Sequence, residues 1–371
     1  MSGFACLVIL GSKESFISNL AQERVIVLIA KPFLSDSMKK MICAVRIIAF
    51  ILSLELGSAP AKAIALEKIT ASYGAISGSS APIWVAKEAR LFEKQGLEVD
   101  LVYIPGPRNI MALVGGSVQF ANHSGVPALE SYKRGADATL IASPMDRVDH
   151  SLVVQKNITN IDDLRGKVLG FSSAGSLTDV VLREGLRLNG LSERDVTLLA
   201  VGDLSARLSG IRNGRLHGAI IAGIQFVTAS NMGFRQLIDF SKLPIEIAGS
   251  GIIARRSYLL RNPDTTLKFL KGWIEGIYIF KSNPQFSRNA IKKYVATQEP
   301  EILDAIYTTY KDKLVLKPVP RLAVVKYMAS LLSRSYAGAP DVNPEGFIEP
   351  RFMSDLEKSG FFEEMNRRYL K

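Results

Sequence analysis

Four short stretches of small, polar residues stand where an apolar run with period two gives way to helical spacing. Such turns bring main-chain amides close to a guest molecule. The first is Phe171–Asp179, which contains Ser172, Ser173, Ala174, Gly175, Ser176 and Leu177. Ser176 followed three residues later by Asp179 is a capping-box-like pair. A helix start leaves N–H groups free and a positive dipole end exposed, which suits a carboxylate, sulfonate or phosphate. Ser173, Gly175, Ser176 and Leu177 are therefore candidate ligand contacts. The same Ser-x-x-Asp spacing starts many helices that hold nothing; its place at the opening of a second α/β block favours contact here. The second turn, Gly74–Pro82, offers Ser79 and Ser80, with Trp84 one step into the helix that follows. An indole there either covers a planar ligand or fills the core. The third turn offers Asn122, His123 and Ser124, where His123 is either a hydrogen-bond partner for an anion or a rim residue. The fourth, Gly223–Phe226, offers Gln225, able to read an amide or an acid. Arg108, after Pro105-Gly106-Pro107, is a candidate counter-ion or a rim charge.

Other chemistry is missing from the sequence. His123, His150 and His217 are dispersed, and there is no H-x-x-x-H or C-x-x-C spacing of the kind that holds zinc. No G-x-S-x-G elbow, P-loop or dinucleotide fingerprint occurs. No cofactor and no metal are expected. Cys6 and Cys43 are the only cysteines of the 371 residues. With 47% hydrophobic and 22% charged residues the chain is neither disordered nor a disulfide scaffold, and its length fits two ordinary domains. Residues 64–371 hold 39 Lys+Arg against 31 Asp+Glu, a surplus of +8. The basic residues are scattered in pairs such as Arg255-Arg256, Lys292-Lys293 and Arg367-Arg368. No nucleic-acid partner is expected from such a pattern.

The turns must be positioned by the elements around them. Period-two runs at Glu67–Tyr73, Leu97–Ile104, Val118–Asn122 and Ala138–Ala142 alternate with helical spacing at Pro82–Gln95, Asn109–Val114 and Val126–Arg134. After a strand at Ser151–Gln155 the alternation restarts. Strands are expected at Lys167–Phe171, Val196–Ala200, Gly218–Ala222 and Phe234–Phe240. The helices between them are Leu177–Asn189, Leu204–Arg212 and Ile224–Met232, and a strand at Ile252–Ala254 follows. Repeated β-α-β implies mostly parallel sheets flanked by helices. From Asn262 onward the pattern is helical: Asp264–Lys281, Pro284–Val295, Pro300–Lys313, Arg321–Tyr336 and Pro350–Met365. No flexible linker separates the two α/β blocks. Short crossing strands near Asp149–Lys156 and Ile245–Ala254 would then join them as a hinge, with a cleft between.

The first 63 residues read as an address. Met38-Lys39-Lys40-Met41 is a basic start, Ile47–Leu54 an uncharged apolar run, and Ala59-Pro60-Ala61-Lys62-Ala63 a cleavage-type tail. The run is too short to span a bilayer. We expect translation from Met38, cleavage after Ala61 or Ala63, and export to the periplasm. Both cysteines would leave with the leader.

Further into the chain a family resemblance emerges. The run from Ser79 through Ala81-Pro82-Ile83-Trp84-Val85-Ala86-Lys87-Glu88-Ala89 to Leu91-Phe92-Glu93-Lys94-Gln95-Gly96-Leu97-Glu98-Val99 resembles the opening of substrate-binding proteins of bacterial ABC importers. Gly115–Ala121, Ile161–Lys167, Asn213–Ala219, Asn262–Thr265 and Leu356–Phe361 extend the match in order, over essentially all of 66–365. The branch that these residues most resemble is the nitrate/sulfonate/taurine-binding and thiamine-precursor-binding superfamily. The resemblance implies a two-lobed α/β fold, the type II periplasmic-binding-protein fold. The expected divisions are 64–153 for the first part of lobe one, 154–248 for lobe two, and 249–371 for the return segment and C-terminal helices. It also implies a monomer that grips a small anionic or heteroaromatic solute and delivers it to an ABC permease without catalysis. The alternative it leaves is an enzyme on the same fold, of the thiamine-pyrimidine or menaquinone-precursor type. The cysteine-rich motif of the pyrimidine synthase is absent here.

Overall fold

Alternation in Glu67–Tyr73 puts Ile69, Ala71 and Tyr73 into one apolar core while Glu67 and Lys68 stay in water. The same logic builds ten strands in the computed structural model, which describes residues 65–222, 225–295, 297–336 and 343–370, with Ser37. The expected leader and its cleavage site lie outside these residues, as do Gly223 and Ile224. In chain order the strands are β1 (Glu67–Tyr73), β2 (Leu97–Tyr103), β3 (Phe120–His123), β4 (Thr139–Arg147) and β5 (His150–Val154). They continue as β6 (Val168–Phe171), β7 (Thr197–Ala200), β8 (Gly218–Ala222), β9 (Arg235–Asp239) and β10 (Glu246–Ala254).

They form two five-stranded sheets, ordered β2-β1-β3-β10-β4 and β7-β6-β8-β5-β9. β1 pairs in parallel with β2 and β3, and β6 with β7 and β8. One strand per sheet is reversed: β10 is antiparallel to β3 and β4, and β5 to β8 and β9. The reversed strands are the ones that arrive from the other sheet. The chain leaves β4 through Val148-Asp149 straight into β5, and returns from β9 through a short turn, Phe240–Lys242, into β10. A strand that leaves one sheet at its carboxyl edge and enters the next at that sheet's carboxyl edge must run against its neighbours. The two carboxyl edges therefore face each other. We place the lobe boundaries at these two passages, since β5 belongs wholly to the second sheet and β10 to the first.

The helices are α1 (Ala81–Glu88), α2 (Leu91–Lys94), α3 (Arg108–Val114), α4 (Gly125–Lys133), α5 (Leu177–Leu188), α6 (Leu204–Arg212) and α7 (Phe226–Asn231). After β10 come α8 (Arg256–Arg261), α9 (Pro263–Ser282), α10 (Pro284–Val295), α11 (Pro300–Lys313), α12 (Leu322–Ser335), α13 (Arg351–Lys358) and α14 (Phe361–Tyr369). Two helices expected whole are broken. Arg90, at φ 55, ends Pro82–Gln95 after α1 and lets Leu91 and Phe92 turn into the core. Gly360, at φ 74, divides Pro350–Met365 into α13 and α14, a conformation glycine takes at little cost. The short α8 follows β10 without a sequence signal that we read.

One core covers the outer face of the first sheet, with Phe92, Phe120, Phe269 and Trp273 at its centre. A second runs from Leu129 and Leu140 of lobe one into Leu152, Leu169 and Val180 of lobe two, closed over by Val325, Met328 and Leu332 of α12. α12 thus holds both lobes. Its Tyr327 hydroxyl bonds Glu184 at 3.1 Å and the Pro244 carbonyl at 3.1 Å. No described helix is long and apolar enough to cross a membrane.

α9 approaches α1 closely because Gly276 faces it: a Cβ there would stand 2.5 Å from the Pro82 carbonyl oxygen. Backbone cannot yield as a side chain does. Gly276→Val should therefore destabilise the fold by about 1–3 kcal/mol, read as a lower urea midpoint with an unchanged m-value.

Candidate functional site

Strand order locates the site before any side chain does. From β1 the chain passes to one flank (β2) and then back over to the other (β3), so connections diverge between β1 and β3 and a crevice opens at their carboxyl ends. The same reversal lies between β6 and β8. These two crevices are opposed across the lobe interface. A Cβ on Gly106, after β2, would stand 4.0 Å from Ser173 Oγ, after β6. A Cβ on Gly175 would stand 2.6 Å from Glu130 Oε2 of α4. The lobes are in contact at their facing turns.

In lobe one, His123 plugs the crevice against Gly74, where an added Cβ would be only 1.8 Å from the ring. Gly74 N–H donates to the Asn122 carbonyl at 3.0 Å. Burial pulls the His123 imidazole down to about 4, against the smaller opposing pull of the Ser124 and Gly106 carbonyls, so the ring is neutral at pH 7. Ser124 caps α4 by accepting from Val126 N–H at 3.2 Å. The Gly78–Ser80 turn is braced internally: Ser77 Oγ and Ser79 Oγ are 2.7 Å apart, and Ser80 Oγ donates to the Ala75 carbonyl at 2.8 Å. From β10, Ser250 Oγ donates to the Ser79 carbonyl at 3.0 Å, and Asn122 Nδ2 donates to the Gly251 carbonyl at 3.1 Å. The return strand thus clamps both turns of this lobe.

Trp84 is not at the crevice. It is 0% exposed, stacked on Tyr294 at 5.0 Å and edge-on to Tyr73 at 5.6 Å. The stripe that makes α1 a helix also turns Trp84 into the outer core. Tyr103 carries the exposed aromatic surface at the strand ends instead, its ring 5.3 Å from that of the buried Tyr73. Burial and then the Asp203 charge of lobe two push the Tyr103 phenol up, and Arg108 opposes them. Arg108 itself is an exposed rim charge.

In lobe two the Ser172–Asp179 turn departs from expectation. Gly175 N–H donates to Asp179 Oδ2 at 3.1 Å and to the Tyr336 hydroxyl at 2.7 Å. Asp179, fully buried, also accepts from Arg183 Nε at 2.6 Å and from Tyr336. Ser176 caps α5, accepting from Asp179 N–H at 3.3 Å and bonded to Ser172 and Thr178 hydroxyls. With Glu130 also against Gly175, the helix start already faces two carboxylates of this chain. An external anion has no opening at Gly175 or Ser176. Leu177 is partly buried against the second core. Ser173 is the member of the turn that looks across to lobe one. Gln225 turns its side-chain oxygen back to accept from Ala222 N–H at 3.1 Å.

Sequence reading missed Arg207. It is 6% exposed on α6, with Nη1 donating to the Ile220 carbonyl of β8 and Nε to the Asp203 carbonyl at 3.2 Å. The last register pair of β6 with β8 is Gly170 with Ala219, so Ile220 lies where that ladder opens. No carboxylate forms an ion pair with Arg207 among the described residues. Burial pulls its guanidinium down to about 10, still charged at pH 7. The available signal was an arginine between Leu204 and Leu208 on the inward stripe of a helix. Asp149 was also missed. Buried in the β4–β5 passage, it is bonded by Tyr310 and lies 3.2 Å from His150 Nδ1. Burial works against its charge, but His150 and Tyr310 outweigh burial and hold the carboxyl at about 2.

Residues 77–287 match the family model described as NMT1/THI5 like. The chain belongs to the NMT1/THI5-like family. The chain is 22% identical over 211 residues to the riboflavin-binding protein RibY of Chloroflexus aurantiacus, covering 55% of this chain and 59% of that one. It is 28% identical over 142 residues to the 4-amino-5-hydroxymethyl-2-methylpyrimidine phosphate synthase of Schizosaccharomyces pombe, 38% of this chain and 40% of the synthase. The match therefore spans less than two thirds of either relative. Among solved structures, the alkanesulfonate-binding protein SsuA of Xanthomonas axonopodis pv. citri, bound to MOPS, superposes with a TM-score of 0.65 at 19% identity. That match covers 76% of this chain and 98% of SsuA. The two-lobed periplasmic-binding-protein fold is thereby shared.

In this family member the His123–Gly74 contact makes a direct forecast. Gly74→Ala must expel the imidazole, and its pKa should rise from about 4 toward 6.5 in an NMR titration. The parent protein should lose stability as pH falls from about 6.5 to about 4. Over that window the unfolded chain takes up a proton at His123 that the folded one refuses. Chemical denaturation at stepped pH, compared with His123→Gln, measures the effect.

Proposed function

We propose that this protein is an exported, monomeric solute receptor that closes its two lobes on a small anionic or heteroaromatic molecule and hands it to an ABC permease. The observation that carries this reading is the opposition of the two switch-point crevices, with Ser173 of one lobe against Gly106 of the other. A site split between two lobes suits capture and release, because opening the hinge separates the halves of the site. Arg207 supplies the cationic half: a buried guanidinium without a carboxylate partner gains most from an incoming anion. Tyr103, backed by the buried Tyr73, supplies a surface for a planar group. His123, Asn122, Ser79, Ser80 and Ser173 frame the opening between them. The sulfonate-binding neighbour and the riboflavin-binding relative support both ligand classes. The leader-like segment before residue 64 supports a periplasmic location. The competing reading, an enzyme on this fold, draws on the synthase relative.

Thermal shift decides between them. Alkanesulfonates, MOPS, nitrate and flavins should be screened for a rise in Tm that grows as RT ln(1 + [L]/Kd). A receptor returns its ligand chemically unchanged; a product detected by mass spectrometry overturns the proposal. For an anionic ligand, Arg207→Met should weaken binding about 10- to 100-fold, the loss expected of one charged hydrogen-bond partner. Ser173→Trp should hold the lobes apart, seen as a larger radius of gyration by small-angle scattering and as lost binding.

A further inference from the structure

Lobe one contains a buried polar side chain for which the fold provides no partner. Asn109, the second residue of α3, is 0% exposed, and neither Nδ2 nor Oδ1 has a hydrogen bond. Among the described residues it alone has both ends of its side chain in this state. Folding does not bury a carboxamide unpaired without cost, so such a group calls for an explanation. Its position supplies one. The Asn109 main-chain N–H bonds the Gly106 carbonyl at 3.1 Å, which places Asn109 directly under the turn that meets Ser173 of lobe two.

The sheet brings a second unpaired group to the same side. Along β1, Ala71 and Tyr73 point into the outer core, so Ser72 points to the opposite face. On β3, Ala121 and then His123 lie on that face, and α3 packs there through Ile110 and Leu113. Ser72 is 0% exposed and its Oγ has no partner. Ser72 pairs in register with Ala121, two residues below the level of His123. An uncharged imidazole, a carboxamide and a hydroxyl thus lie on one side of the first sheet, at and just beneath the lobe-one crevice, with no formal charge among them.

We infer that Asn109 and Ser72 form a subsite for an uncharged amide edge, an adjacent N–H and C=O as in a carboxamide or lactam. The carboxamide of Asn109 offers one donor and one acceptor side by side, which is the complement of such an edge. A bare anion would find no counter-charge among these groups, since Arg108 beside them is exposed at the rim; Arg207 serves that need in the other lobe. The inference rests on the interlobe reading and adds that lobe one reads a neutral group.

The test uses the full chain, with 2-pyridone and nicotinamide as amide probes, pyridine as a control lacking the edge, and MOPS as an anion probe. The amide probes should raise the Tm of the parent protein at millimolar concentration, and pyridine should not. Asn109→Leu, of similar volume, should leave the ligand-free Tm unchanged or higher, because an unpaired buried amide is removed. It should also weaken the response to both amide probes at least tenfold in Kd and leave the response to MOPS intact. Ser72→Ala should act in the same direction. The inference is overturned if the amide probes do not stabilise the parent protein, or if Asn109→Leu responds to them as the parent does. It is equally overturned if the ligand-free Tm of Asn109→Leu falls by several degrees, since the amide then serves the fold through ordered water. Stabilisation by MOPS without stabilisation by amides removes this inference and leaves the interlobe reading standing. Silence toward every probe, flavins and nitrate included, removes both.

Discussion

Everything in this molecule depends on the two strands that change sheets. β5 and β10 each cross from one carboxyl edge to the other, and each must then run against its new neighbours. That constraint points the two switch-point crevices at one another. It also makes β10 a structural member of the site: Ser250 and Gly251 accept or donate the hydrogen bonds that hold the Ser79 and Asn122 turns. A movement of the return strand is therefore felt directly by both turns of lobe one.

The passages themselves are not loose. Asp149 is a buried, ionised carboxylate in the β4–β5 passage, held by His150 and by Tyr310 from α11. Burying a charge is tolerable only when partners replace water. The result is a pivot whose position is fixed by polar contacts to the C-terminal helices. α12 adds a second tie, through Tyr327 and Arg334 to Glu184 and through Tyr336 to the Ser172–Asp179 turn. The helical region after residue 262 is thus part of the machinery that sets how the lobes meet.

The charges at the two crevices differ in kind. In lobe two, the helix start that looked ready for an anion is occupied by the chain's own Asp179 and faced by Glu130, while Arg207 lies beside β8, hydrogen-bonded to two carbonyls and feeling the Asp203 charge without an ion pair. In lobe one the polar groups His123, Asn109 and Ser72 are neutral, and burial keeps His123 so.

Local pattern was enough for the elements themselves. Period-two and helical spacing marked nearly every strand and helix, because burial on one face leaves its imprint on neighbouring residues. The turns after β1, β3 and β6 were legible for the same reason, while the family and its two-lobed fold were legible through the resemblance carried by Ser79–Val99 and the motifs after it. What neighbouring residues cannot encode is which group meets which across tens or hundreds of positions. Ser176 and Gly175 read as a free helix start because nothing near them announces Tyr336, more than 150 residues later. Trp84 read equally as ligand cover or core until Tyr294 stacked on it. Arg207 and Asn109 carry no motif at all. Only the packed chain decides that Arg207 meets carbonyls and no ion-pair partner, and that the Asn109 side chain meets no hydrogen-bond partner.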